Sequence, residues 1–304
     1  MSSQASPEKI AVFDGIQRAY RRGVDVLHGV SFDVSPGEVV GLLGRNGAGK
    51  TTLLRIAMGM LEPQRGRVRL FGLDPRQEPI AVKRRVGYVS EEQILPTFLK
   101  VREVVDLHRR LFPTWDDDLA GRLATRFSIS AEEKIGNLSK GQARQVALLC
   151  AIAHRPELLI LDEPAGGLDP AMRREFLETA IQLLNEAGST ILFSSHYMTD
   201  VERLAARVVL LHDGRVMLDR DLDQLREEHC LARVPRGDGV TRDALLSLPG
   251  SLGVRTRTEA LHAVFALRPE QAAAQIERAL GVHSVRCDPV GLEEMFIELV
   301  GGQE

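Results

Sequence analysis

The chain carries little cysteine: three residues, Cys150, Cys230 and Cys287, among 304. An odd number at wide spacing argues against a disulfide framework or a zinc site, so a reducing compartment is implied. Long apolar runs are missing as well. No window approaches the roughly 18 continuous apolar residues needed to cross a bilayer, and the opening MSSQASPEKI lacks the apolar core of a secretion signal. A net charge of −3 leaves no global basic field to gather nucleic acid, and none is expected as a partner. The short basic spots Arg18 to Arg22 and Lys83-Arg84-Arg85 read as solvated faces. Neither an internal repeat nor a low-complexity segment is visible. The expectation is a chain that is soluble by itself and resides in the cytoplasm.

What is present is a series of short aliphatic runs alternating with helical patterns. Lys9–Phe13 and Val26–Val34 read as strands parted by a turn at Arg21-Arg22-Gly23, followed by a strand over Glu38–Leu43. A helix starts at Lys50 and must end by Pro63. Strands are expected at Arg67–Phe71, Arg85–Val89, Leu158–Leu161 and Thr190–Phe193. Helices are expected at Val101–Leu111, Asp117–Phe127, after Ser139, and over Ala171–Glu186 with a cap at Gly188. Short strands, hydrophobic throughout and alternating with helices, mean a mainly parallel sheet covered on both faces. Val208–Leu211 and Arg215–Leu218 flank Asp213-Gly214 as a hairpin. Beyond about Asp223 polar, glycine-containing connections alternate with short elements, which predicts a separate small α+β domain.

The stretch GLLGRNGAGKTTLL, Gly41 to Leu54, carries the first chemistry. Its spacing, Gly44-x-x-x-x-Gly49-Lys50-Thr51 between a strand and a helix, is that of a phosphate-binding loop. Without Cβ atoms, Gly44, Gly47 and Gly49 let successive N–H groups converge, and the helix start adds unpaired donors and its dipole. The loop from Gly44 through Asn46, Gly47, Ala48 and Gly49, with Lys50, Thr51 and Thr52, is therefore the expected phosphate cradle. Lys50 would bridge the outer phosphates, and the Thr51 hydroxyl would face Mg²⁺. Further on, the strand Leu158–Leu161 runs into Asp162 and Glu163. Alternation along a strand would let the two acids divide the work: Asp162 holding Mg²⁺ through water and Glu163 orienting and deprotonating the attacking water.

Leu138-Ser139-Lys140-Gly141-Gln142, just before a helix, completes the pattern: it resembles the signature of the ATP-binding-cassette (ABC) ATPases, with Lys140 where the commonest version has a second glycine. The resemblance covers about Ile10 to Leu218. It implies a P-loop NTPase cassette with N-terminal antiparallel strands and a helical subdomain at about 91–156. The cassette would occupy 9–223, after a flexible tail at 1–8 and before an α+β domain at 224–304. By the same resemblance Tyr20 stacks on adenine, and Gly167-Leu168-Asp169 touches a partner copy. His196, closing the next strand, contacts the γ-phosphate. Ser139, Gly141 and Gln142 reach a nucleotide held by that second copy. Where the family usually has a glutamine sensing Mg²⁺, this chain has Glu91, with Gln93 as the substitute.

The function so implied is ATP hydrolysis by a homodimer closing on two Mg-ATP to drive a separate multi-span permease. The chain would lie peripherally on the inner face of the membrane. The permease would be received near Glu91 and Lys100–Leu111. Gly291 to Leu299 is similar to the closing helix of exporter subunits, which favours export. The alternative is a soluble cassette ATPase acting on a protein or ribonucleoprotein assembly.

Overall fold

A computed structural model describes residues 9–21, 23–91, 95–168, 170–187, 189–236, 240–282 and 285–300. The expectations for the tail 1–8, Gln93, Asp169 and Gly188 lie outside the described residues. The chain divides into two compact units, Met1–Asp219 and Arg220–Glu304.

In the first unit, β1 (Ala11–Arg21), β2 (Val24–Val34) and β4 (Arg65–Leu70) form an antiparallel sheet in the order β2-β1-β4. Strand β1 continues well past the expected Phe13, through register shifts between Phe13 and Arg21 on the β2 side. Those bulges allow polar residues such as Asp14, Gln17 and Arg18 to stay in a strand whose inward residues, Ala11, Phe13 and Ile16, are buried. Phe13 stacks on Phe32 of β2, ring centroids 4.4 Å apart.

The second sheet takes β3 (Val39–Leu43), β5 (Val86–Val89), β6 (Leu158–Leu161), β7 (Thr190–Ser195), β8 (Arg207–His212) and β9 (Arg215–Asp221) in the order β5-β6-β7-β3-β8-β9. The pairs β5·β6, β6·β7, β7·β3 and β3·β8 are parallel. Strands β3, β6 and β7 are buried at every position, which is why they read as unbroken aliphatic runs. Each fully buried Leu or Ile there contributes about 1.5–3 kcal/mol of apolar transfer. The strands are linked by α1 (Lys50–Ala57), α2 (Pro79–Lys83), α3 (Val101–Leu111), α4 (Asp117–Arg126), α5 (Lys140–Ile152), α6 (Pro170–Ala187) and α7 (Met198–Leu204). The α/β cassette, with its antiparallel N-terminal strands and helices α3 to α5, is the fold class the sequence predicts.

The site depends on strand order. Because β7 lies between β6 and β3, the loops leaving β3, β6 and β7 open side by side at the carboxyl edge, where ligands sit in open α/β sheets. Register completes the placement: Leu161 pairs with Phe193 and Leu43 with Ser195, so Asp162, Ser194 and Gly44 follow on adjacent strands.

After α5, His154 is buried and stacks on Phe112 at 4.0 Å, its Nδ1 3.4 Å from the Cys150 carbonyl. Burial pulls its pKa below the ordinary histidine value, the backbone carbonyls opposing and His108 adding to the shift. The folded chain thus keeps His154 neutral, whereas an unfolded histidine protonates near pH 6.5. The unfolded state binds more protons below that pH, so this residue removes stability as pH falls from about 6.5 towards its depressed folded pKa. We expect His154→Phe to lose less Tm than the parent between pH 7 and pH 5; parallel curves would refute the role given to His154.

The second unit runs α8 (Leu222–Glu228), β10 (Cys230–Pro235), α9 (Arg242–Leu246), β11 (Ser251–Thr256), β12 (Ala260–Phe265), α10 (Pro269–Leu280), β13 (Arg286–Pro289) and α11 (Leu292–Val300). Its strands order as β11-β12-β10-β13, all neighbours antiparallel, which is the split β-α-β-β-α-β arrangement. Cys230, Ala232, Val234, Ala263 and Phe265 pack with Ala272 and Ile276 of α10 in a core of their own. Among the described residues no helix is long and apolar enough to cross a membrane.

Candidate functional site

Gly49, the residue before α1, has φ +103, a conformation that L side chains rarely adopt, and it turns the loop into the helix. Lys50 follows at the first helical position, and its side chain is only 5 % exposed. Its Nζ donates to the carbonyls of Gly44 at 2.6 Å and Arg45 at 3.3 Å. It also pairs with Glu163 Oε1 at 3.0 Å, in a geometry that leaves Oε1 without a hydrogen bond among the described residues. The next residue, Thr51, donates its hydroxyl to Asp162 Oδ1 at 3.1 Å.

Asp162 sits one residue beyond β6, its N–H donating to Val89 O at 2.8 Å. Ser194 secures this corner. Its hydroxyl donates to Asp162 Oδ1 at 2.8 Å and accepts from the Glu163 N–H at 2.8 Å. Burial raises the pKa of Asp162, opposed by the Ser194 and Thr51 hydroxyls and reinforced by the charges of Glu91 and Glu163. The other oxygen, Oδ2, is buried and has no hydrogen-bond partner among the described residues. A buried carboxylate oxygen left orphaned beside a threonine hydroxyl is a donor set that suits a hard divalent cation.

Glu163 has φ +44, a left-handed conformation that is uncommon for any residue with a Cβ. This turn, rather than strand alternation, gives the two acids their directions: Asp162 meets Thr51 while Glu163 meets Lys50 and His196. His196 Nδ1 lies 2.9 Å from Glu163 Oε2. The carboxylate thus bridges an ammonium and an imidazole, with its side chain 7 % exposed. Losing one partner of such a buried pair costs about 3–5 kcal/mol.

Lys50, Thr51 and Glu163 open into a cavity of about 470 Å³ lined also by Tyr20, Asn46, Gly47, Gly49, Thr52 and Glu91, with Val26. Gly44 and Ala48 belong to the loop behind that lining, with Ala48 N donating to Arg45 O at 3.1 Å. Tyr20, about half exposed, joins its hydroxyl to the Thr52 hydroxyl at 3.1 Å and presents its ring at the rim, with Arg18 5.6 Å from the ring centre. That is an open aromatic platform of the kind a planar base stacks upon. Glu91 is exposed at the same rim. Among the described residues no three His, Cys, Asp or Glu side chains converge on one metal position.

Ser139, Gly141 and Gln142 do not line this cavity. They open α5 in a reciprocal cap: Ser139 Oγ accepts from Gln142 N at 3.2 Å, and Ser139 N donates to Gln142 Oε1 at 3.0 Å. Gly141 is buried, and a Cβ there would come within 2.6 Å of Met172 Cε on α6. Within one chain the Met172 side chain of α6 thus packs over this glycine. Ser194 and, further along α5, Arg144 are site residues that sequence reasoning missed. Ser194 carried a signal in its place beside His196, but a lone serine in a strand has no motif to mark it.

Comparison with known proteins agrees with this geometry. Residues 27–166 match the family described as ABC transporter. The chain is 31 % identical to the ABC transporter ATP-binding protein YtrB of Bacillus subtilis over 92 % of its own length and 95 % of that protein's. It is 32 % identical to the Nod factor export ATP-binding protein I of Rhizobium sp. strain N33 over 91 % and 92 % of the two chains. A solved structure described as the ATP binding subunit of an ABC transporter superposes with a TM-score of 0.64 at 30 % identity, spanning 71 % of this chain and 92 % of that one. A likeness that runs nearly end to end through such relatives, on a fold that opens its phosphate-type loop and Glu163 into one cavity, places the chain in the family of ABC transporter ATP-binding proteins: it is an ATPase of the kind that partners a membrane permease.

Proposed function

We propose that this chain, as a cassette followed by a small α+β domain, pairs with a second copy around two Mg-ATP and drives export through a separate multi-span permease. The observation that carries the pairing is the separation of its two anion-binding elements. The loop Gly44–Thr52 and the Ser139 cap both present helix N-termini, yet only the first faces the cavity, while Ser139 and Lys140 are exposed. A nucleotide in one copy would be left open on one side until the exposed cap of another copy, with Gly141 and Gln142, covers it.

Within each site Lys50 and the loop N–H groups bind the β- and γ-phosphates, and Tyr20 stacks on adenine. Thr51 and Asp162 would hold Mg²⁺, with Glu91 at the rim; when bound, the ion supplies neutralisation of phosphate charge. Glu163 accepts a proton from the water that attacks the γ-phosphorus as the bond to the bridging oxygen breaks and ADP departs. His196 orients that carboxylate and meets the γ-phosphate.

The permease contact is supported by an apolar recess of about 430 Å³ beside β5 and α3, lined among others by Met58, Met60, Tyr88, Leu95, Leu111 and Phe112. Met60 and Leu111 are exposed in it. Such a recess suits a short amphipathic helix from a partner. The peripheral location on the inner membrane face follows from that contact. Export direction is supported by the likeness to the Nod factor export proteins and by the tail helix α11. Purification from detergent-solubilised membranes should retain a multi-span membrane protein, and Leu111→Asp should release it without altering nucleotide affinity. Recovery of ribosomes or a soluble scaffold instead would overturn the transport reading.

A further inference from the structure

Arg144 lies on α5, within two turns of the Ser139 cap, and the residue is 9 % exposed. An arginine so buried needs partners, because a charge taken out of water is held only by neutralisation and hydrogen bonds. Its Nη1 donates to the Gly166 carbonyl, and its Nη2 donates to the Glu91 carbonyl at 3.4 Å. Gly166 N in turn donates to Glu163 O at 3.0 Å. Two hydrogen bonds therefore join Arg144 to the backbone of Glu163, and one joins it to that of Glu91. The carboxylates of Glu91 and Glu163 both bear on its charge and offset the effect of burial. Two acids, Glu91 and Glu163, line the cavity, their charges also bear on Asp162 beside it, and Lys50 is the only basic residue in the lining among the described residues. Arg144 stands behind that lining as a second cation.

We propose that Arg144 is a positioning residue, its planar fork fixing the Glu163 corner and the Glu91 loop to the helix that begins at the Ser139 cap while its charge offsets Glu91. The inference rests on the nucleotide-site reading above. The cap, the metal-side loop and the catalytic corner then move as one piece. A shift of α5 when a second copy covers the cap is transmitted to Glu163 through Gly166. Glutamate is tolerated at position 91 because a cation is already buried beside that loop.

Arginine and lysine separate the two parts of the claim, because an ammonium retains the charge but cannot bridge two carbonyls as a fork does. Arg144→Lys should keep KM and the magnesium-free affinity for a fluorescent ATP analogue, while kcat falls about tenfold, the low end for loss of placement. Arg144→Met should also weaken magnesium-free affinity by about tenfold at low ionic strength, and adding Glu91→Gln should recover about threefold, a solvent-damped charge effect. Full kcat in Arg144→Lys would overturn the positioning role, and a double variant no tighter than Arg144→Met would overturn the charge role. Should Arg144→Met not fold, Arg144→Lys decides the positioning claim, and Arg144→Gln with and without Glu91→Gln decides the charge claim: a double variant no tighter than Arg144→Gln overturns it. An unmodified chain that binds no ATP analogue would refute the nucleotide site instead.

Discussion

Glu163→Gln should lower steady-state ATP hydrolysis by about 10²–10⁴-fold, the span associated with removing a general base, while nucleotide remains bound. The substitution is nearly isosteric, and the Ser194 hydroxyl still receives the backbone N–H at position 163, so the corner keeps its shape. What disappears is proton acceptance and the charge that faces Lys50 at 3.0 Å and His196 at 2.9 Å. Lys50 is thereby released from a competing anion, so ATP affinity should rise. With ATP present the variant should elute as a dimer in gel filtration and stay so, since opening follows hydrolysis. A monomeric elution with undiminished turnover would remove Glu163 from the role of base and would leave the paired arrangement without support.

Lys50→Ala should abolish nucleotide binding at ordinary concentrations. Charged hydrogen bonds contribute about 1.5–3 kcal/mol each, so losing the ammonium from the outer phosphates should weaken affinity by at least a hundredfold. The deletion also leaves the carbonyls of Gly44 and Arg45 and the Glu163 carboxylate without their cation. Some loss of folding stability is therefore expected, and affinity should be read by titrating a fluorescent ATP analogue into protein shown to be folded. In the parent, added ATP should raise Tm in proportion to the logarithm of its concentration above Kd; in Lys50→Ala that rise should vanish. An unchanged affinity would refute the phosphate role of the loop.

Much of this site was legible before any coordinates because the chemistry depends on contiguous residues. Gly44 to Thr52 is a single turn and helix start, and its spacing carries the geometry with it. The strand Leu158–Leu161 followed by Asp162 and Glu163 was legible for the same reason. Harder to read was anything built between segments. Ser194 acts by hydrogen-bonding Asp162 and Glu163 from the next strand, and Arg144 acts on carbonyls 22 and 53 residues away. Nothing in a serine or arginine marks such a partner in advance. The length of β1 was missed because Asp14, Gln17 and Arg18 suit a turn by composition, and only pairing with β2 and β4 on either side keeps them in a strand. Gly141, read as an anion-site glycine, also lies under Met172 of α6 within one chain, a contact between separate helices that no local motif marks. The directions of the two acids were expected from strand pleating and arise instead from a backbone of the opposite hand at Glu163.

That reversed hand has a bearing on how the enzyme starts its cycle. A left-handed residue with a Cβ costs about 1–2 kcal/mol, and here it persists because the Ser194 hydroxyl and the Gly166 amide grip the peptide from both sides. The conformation of Glu163 is thus held by hydrogen bonds that belong to the fold itself. On the role proposed for Glu163, an arriving triphosphate would find the carboxylate already aimed and would have only to displace it from the ammonium, making the first event of turnover an exchange of anions on a ready-made stage.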